Sequence, residues 1–237
     1  MRSTIVLVHG AFAESSSWDR VIESVSLAGL PVVAAANPLR GLASDAASVS
    51  DLVRTIDGPV LLVAHSYGGA VITNVDPDAG DITGLVYVAG FAPDHGETAF
   101  SLAGMFPGST LGDAVQPTPR ADGTTDLRIA PDRFHEQFCA DLPESQAALM
   151  AVTQRPVAQE ALLEPSGDRP LWKELPSWFV FGEEDRNIPA QLEHFMARRA
   201  RAHRTIEIPG ASHAVSVAHP QATAHLILEA AAVHAPA

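Results

Sequence analysis

"PVLLVAHSYGGAVI", residues 59–72, is hydrocarbon up to a polar tip and hydrocarbon again after two glycines. A continuous apolar run of this kind, bounded by turn residues, reads as a strand buried on both faces. Gly68-Gly69 directly after His65-Ser66-Tyr67 marks a sharp turn into a following helix. A plain strand-to-helix connection has no need of a hydroxyl at its tightest point, so Ser66 sets the question for the rest of the chain.

Ala64-His65-Ser66-Tyr67-Gly68 fits the nucleophile elbow G-x-S-x-G with Ala at its first position. There a strained turn lifts a serine Oγ above the end of a sheet, and small flanking residues let neighbouring backbone pass closely. Gly and Ser are also common turn residues, so the pentapeptide needs partners elsewhere in the chain.

The surroundings suit such a sheet. Apolar runs recur at 4–8, 31–35, 59–65, 83–89, 177–182 and 204–209. Helical patterns lie between them, over 15–29, 44–57, 189–202 and 219–233, with turn residues at their ends. Alternation of strand and helix predicts a parallel sheet covered on both faces. Residues 91–170 break the rhythm with turn-rich stretches such as "PGSTLGDAVQPTPRADGTT" and short helix candidates. That segment is too long for a plain loop. The expected organisation is a core of 1–90 and 171–237 with 91–170 inserted as a cap over the sheet's carboxyl edge.

A serine hydroxyl is a weak nucleophile until a histidine takes its proton, and an acid must orient that histidine. On an elbow-bearing sheet both partners follow later strands, in the order Ser, acid, His. "FGEEDRNIP" after the fifth run offers Asp185, and "PGASHAVSVAHP" after the sixth offers His213. Ser66, Asp185 and His213 are therefore the expected triad. Glu183, Glu184 and Asp94 are the alternative acids. His65 is read as a support for the elbow, and His219, before Pro220, as structural. The tetrahedral intermediate needs N–H donors. Tyr67, next after the serine, should supply one. Ala11, in the loop after the first strand, should supply the other, with Phe12 the less favoured choice.

The motifs "LVHGAF", "AHSYGGAVI", "FGEEDRNIP" and "GASHAVSVAHP" resemble those of the α/β-hydrolase superfamily along nearly the whole chain. That resemblance implies a six-stranded, mostly parallel sheet in order 2-1-3-4-5-6, flanked by helices, with an inserted cap. The short start and "HGAF…W", ending at Trp18, are similar to small esterases, plant methyl-ester esterases and hydroxynitrile lyases. The plant-type lyases carry Thr after the first-strand His and Lys after the catalytic His. Here Gly10 and Ala214 stand at those places, and the only lysine is Lys173. Ester hydrolysis through an acyl-enzyme is thus expected over lyase chemistry.

Phe12, Trp18, Phe100, Phe134 and Phe138 are the candidate substrate contacts, with Leu102, Met105, Phe106 and Met150 as further candidates; packing between cap and core is the competing role for each. Residues 91–170 hold five arginines and twelve acidic residues, so a small to medium apolar or aromatic ester is expected rather than a polyanion. Lactones, carbamates and thioesters would suit the same machinery. An acyltransferase or perhydrolase would also use it, with alcohol or peroxide replacing water. A small-molecule binding protein on a hydrolase fold would need neither Ser, Asp nor His.

Composition bounds the remainder. The net charge of −13 opposes nucleic acid and anionic membrane as partners. No cofactor and no metal are expected, because the histidines and acids show no ligand spacing. The apolar run at 4–8 is shorter than the roughly 7 to 15 residues of a secretory signal and reads as a strand. Cys139 is the only cysteine, which rules out an internal disulfide and suits a cytoplasmic location.

Overall fold

Hydrocarbon on both faces decides which runs become the middle of the sheet. The structure, a computed structural model, describes residues 2–233. β1 (Thr4–Val8) leads through a 3-10 turn (Ser15–Trp18) into α1 (Asp19–Leu27). Gly29, at φ 79°, ends that helix in the left-handed conformation that glycine adopts without a Cβ clash. β2 (Val32–Ala35), α2 (Leu42–Arg54), β3 (Pro59–Ser66), α3 (Tyr67–Thr73) and β4 (Asp81–Gly90) follow.

The insertion comes next. It contains α4 (Ala99–Ala103), α5 (Leu111–Ala114), β5 (Val115–Pro119), β6 (Thr125–Ile129), α6 (Pro131–Phe138), α7 (Glu144–Thr153), β7 (Val157–Ala158) and α8 (Gln159–Leu163). The chain then returns as β8 (Ser177–Gly182), α9 (Ala190–Arg199), β9 (Arg204–Ile208), α10 (Val215–Ala218) and α11 (Pro220–Val233).

The main sheet has the order β2-β1-β3-β4-β8-β9, with every neighbouring pair parallel. This is the expected 2-1-3-4-5-6 order. Ile5 to Val8, Val60 to Ala64, Leu85 to Ala89 and Phe179 to Phe181 are completely buried. β2 and β9, the two edges, are partly exposed; β9 mixes polar and apolar residues accordingly, while β2 is short and apolar throughout. α1 packs on α11, α2 on α3, and α11 lies across β4 and β8. Among the described residues no helix is long and apolar enough to cross a membrane.

The insertion differs from its expected all-helical and turn content. β5, β6 and β7 form a three-stranded antiparallel sheet, with Val115 opposite Ile129 and Pro119 opposite Thr125. β5 is an edge strand, and its exposed face carries Pro117 and Pro119, which such a position tolerates. Its turn closes through Arg120 N–H to Thr124 O, with Gly123 at φ 87°.

The insertion is tied to the core at several points. Arg40, in the loop after β2, donates to Asp126 Oδ1 at 2.6 Å and to Pro156 O at 2.8 Å. Leu39 O accepts from Ala158 N at 2.9 Å. Arg155 holds Glu14 at 2.9 Å, and Gln137 Nε2 donates to Asn187 Oδ1 at 2.7 Å. Asp141 accepts from the Ser212 hydroxyl and pairs with His219 Nε2 at 3.1 Å.

Candidate active site

Ser66 sits where β3 ends and α3 begins, with φ 55° and ψ −126°. A serine at positive φ is strained, and the packing around it holds the strain in place. The neighbouring glycines are there because backbone comes so close. A Cβ on Gly68 would lie 2.7 Å from Val8 O and 2.9 Å from His9 O. A Cβ on Gly10 would lie 2.6 Å from Ser66 Cβ and 2.7 Å from His65 O. The loop after β1, which carries Ala11, therefore passes directly against the serine.

His9 braces that loop. Its Nδ1–H donates to Gly10 O at 3.0 Å and its Nε2 accepts from Asn37 N at 3.1 Å. Burial pushes its pKa down, which suits this neutral tautomer. Tyr67 is the first residue of α3, where an N–H has no intrahelical partner. Ala11 follows Gly10 in the loop after β1 and is 3% exposed.

Asp185 and His213 meet. Asp185 Oδ2 accepts from His213 Nδ1 at 2.6 Å, and both side chains are fully buried. Asp185 Oδ1 accepts from Asn187 N at 2.7 Å and Ile188 N at 2.9 Å, so the carboxylate is locked by its own loop. With the proton on Nδ1, His213 Nε2 carries a lone pair, and that atom has no hydrogen-bond partner among the described residues. No hydrogen bond joins Ser66 to His213 Nε2.

The alternative acids lie elsewhere. Glu183 is exposed and accepts from Gly210 N at 2.9 Å; Glu184 is exposed as well. Asp94 pairs with Lys173 at the surface. His65 supports the histidine as well as the elbow. Its Nε2–H donates to His213 O at 3.0 Å, and the two rings lie 4.6 Å apart. Burial first, then the neighbouring His213, holds His65 well below the usual histidine range and keeps it neutral.

The Alpha/beta hydrolase family model matches residues 5–226. The chain belongs to the alpha/beta hydrolase family. Among its relatives, a carbendazim hydrolyzing esterase of Nocardioides sp. is 32% identical over 42% of this chain, a match spanning 47% of that relative's length. A pyrethroid hydrolase structure from Sphingobium faniae aligns with a TM-score of 0.76 at 20% identity, covering 98% of both chains. A methylesterase structure from Arabidopsis aligns at 0.80 with 15% identity, covering 98% of this chain and 99% of the other. The last two are alike in fold.

The aromatic candidates separate into groups. Phe138 meets the His213 ring edge-on at 5.0 Å, and Phe134 stacks on Phe138 at 5.0 Å. Phe12, at φ 60°, lines a cleft with Leu149, Met150 and Val217 beside the loop carrying Ala11. Trp18 is instead a fully buried core residue. Phe100 is 68% exposed on α4 and takes no part in the aromatic contacts around His213. A phenylalanine in a short, turn-flanked helix gives no sequence signal of which way it faces.

One buried acid escaped the sequence reading altogether. Glu193, on the first turn of α9, is 0% exposed, and neither carboxyl oxygen has a partner among the described residues. Burial first, and then the charge of Asp185, pushes it well above the usual carboxylate range. The available signal was its helical spacing, which places it on one face with buried Met196 and Ala197. A raised folded pKa means that the unfolded chain ionises first. Stability is therefore full below the ordinary glutamate pKa of about 4.3 and falls by about 1.4 kcal/mol per pH unit until the folded group titrates. Glu193→Gln is expected to remove that slope. Urea unfolding at pH 4, 6 and 8 checks it: the difference from wild type should move steadily in favour of Gln. A difference independent of pH would mean that Glu193 is ionised in the fold.

Proposed function

We propose that this chain is a serine hydrolase that cleaves small to medium apolar or aromatic carboxylic esters through an acyl-enzyme. The observation that carries the reading is the buried Asp185–His213 bond, which leaves a basic Nε2 on the loop beside a strained serine. Ser66 attacks the carbonyl while His213 takes its proton, and the N–H groups of Ala11 and Tyr67 receive the oxyanion. His213 then protonates the leaving alcohol, and water repeats the sequence to release the acid. Asp185 holds the Nδ1–H tautomer throughout. The 91–170 segment serves as a lid, with Phe134 and Phe138 as its aromatic wall near His213. Esterase names among the relatives support the reaction class. A single buried thiol supports a cytoplasmic location.

Lyase action on cyanohydrins is disfavoured by the absence of a cation where cyanide would depart. Ala214 is buried beside His213, and Lys173 is held by Asp94 at the surface. Losing one stabiliser of a developing anion costs about 10² to 10³ in rate. The test is side-by-side assay of p-nitrophenyl butyrate and mandelonitrile. Turnover of the ester is expected, with cyanide release no faster than in buffer. Cyanide release that rivals ester hydrolysis and vanishes in Ser66→Ala would overturn the choice.

A further inference from the structure

A buried acid and a buried phenol meet behind the elbow. Tyr67 OH donates to Asp45 Oδ2 at 2.9 Å, and both residues are completely buried. Asp45 comes from the first turn of α2 and has no cationic side chain bound to it; its two oxygens accept from Arg40 N, each at 3.1 Å. The Arg40 guanidinium is turned away to Asp126 and Pro156 O. Burying a carboxylate without a counter-ion is expensive, and a leucine or phenylalanine at 67 would fill the space with no acid behind it. Burial and the adjacent charge push the Tyr67 phenol upward, so it remains a donor across the working pH range.

We propose that Asp45 and the Tyr67 hydroxyl form a positioning pair that fixes the backbone N–H of Tyr67 toward the oxyanion. The inference rests on the serine-esterase reading above. Its physical content is leverage. Tyr67 follows a residue held at φ 55° and ψ −126°, so a strained residue sets the direction of the Ser66–Tyr67 peptide. Phe91 N–H holds the carbonyl side of that peptide, donating to Ser66 O at 3.1 Å, and anchoring the far end of the Tyr67 side chain holds its Cα side, so the N–H is gripped from both ends. The acceptor is itself seated on the backbone of Arg40, whose side chain grips the insertion. The donor on the reacting oxygen is thereby referenced to the lid as well as to the sheet.

The experiment compares wild type, Tyr67→Phe, Asp45→Asn and the double variant as purified full-length protein. Fluorophosphonate labelling titrates the reactive serine, p-nitrophenyl butyrate gives kcat and KM per titrated serine, and phenylboronic acid reports affinity for a tetrahedral adduct. A misdirected oxyanion donor is expected to lower kcat per serine by about tenfold, a part of the loss seen when a donor is removed outright. KM should stay within about twofold, and boronate binding should weaken in parallel with kcat. Asp45→Asn keeps an oxygen that can accept from both Tyr67 OH and Arg40 N and should lose less than Tyr67→Phe, while the double variant should be no worse than Tyr67→Phe, because without the phenol oxygen the acid has nothing left to anchor. A purely structural pair would lower the fraction of titratable serine and the melting temperature while leaving kcat per serine unchanged; that result overturns the proposal. Should Asp45→Asn fail to fold, Tyr67→Phe, which removes one oxygen atom, decides alone. Absence of labelling in wild type would remove the esterase reading and this inference with it. A labelled wild type with undiminished Tyr67→Phe turnover removes this inference only.

Discussion

Ser66→Ala is expected to lower ester turnover by about 10⁶ with the fold intact. The substitution deletes the one atom proposed to form the acyl bond and leaves everything around it in place. Alanine keeps the Cβ that Gly10 packs against, and it meets the same φ 55° as serine does. Unfolding midpoints of the two proteins should therefore lie close together. What survives is the roughly 10³ to 10⁴ that a site retains over water from oxyanion donors and binding alone. Steady-state hydrolysis of p-nitrophenyl butyrate checks the prediction, and a variant retaining a tenth of wild-type turnover would show that another group attacks.

The acid carries the second largest effect. Asp185→Asn is expected to cost about 10⁴ in turnover. Oδ1 at position 185 accepts from two backbone N–H groups, of Asn187 and Ile188. An asparagine must keep its only oxygen there, which turns its NH₂ toward His213 Nδ1. Two donors cannot face each other, so the imidazole proton moves to Nε2 and the base is lost. Glu183→Gln and Glu184→Gln change exposed side chains outside that bond and should cost little. A larger loss from either glutamine variant than from Asp185→Asn would transfer the role.

The main sheet could be read from the chain because strands buried on both faces leave no room for polar residues. β1, β3, β4 and β8 are nearly uninterrupted hydrocarbon, and even the edge strands β2 and β9 stand between recognisable helices. The hairpin of β5 and β6 left no such trace. β5 is exposed and carries two prolines, and β6 offers only Leu127 and Ile129 as apolar residues in a run of five. Asp122-Gly123 was the local sign, since Asp-Gly at a hairpin turn supplies the positive φ that Gly123 adopts. At the site, chain order placed an acid and a histidine on the loops after β8 and β9. Asp185 was preferred among three consecutive acids after Gly182 on its place in the loop, but the turn that presents it inward and leaves Glu183 and Glu184 exposed is a property of the folded loop. Glu193, and the contact between Asp45 and Tyr67, depend on what faces what across helices far apart in sequence. Composition carries no record of that.

The attachments of the insertion bear on how this molecule could change its clientele over time. Phe138 lies against His213, Asp141 holds the residue before it, Gln137 reaches the loop that presents Asp185, and Arg155 grips the loop that carries Ala11. Replacing the whole segment by that of a cousin would withdraw a support from each of these loops at once. Descent by exchange of complete modules is thereby obstructed. Piecemeal drift is open, at positions such as Phe100, Leu149 and Val152, whose side chains are exposed and make no such attachment.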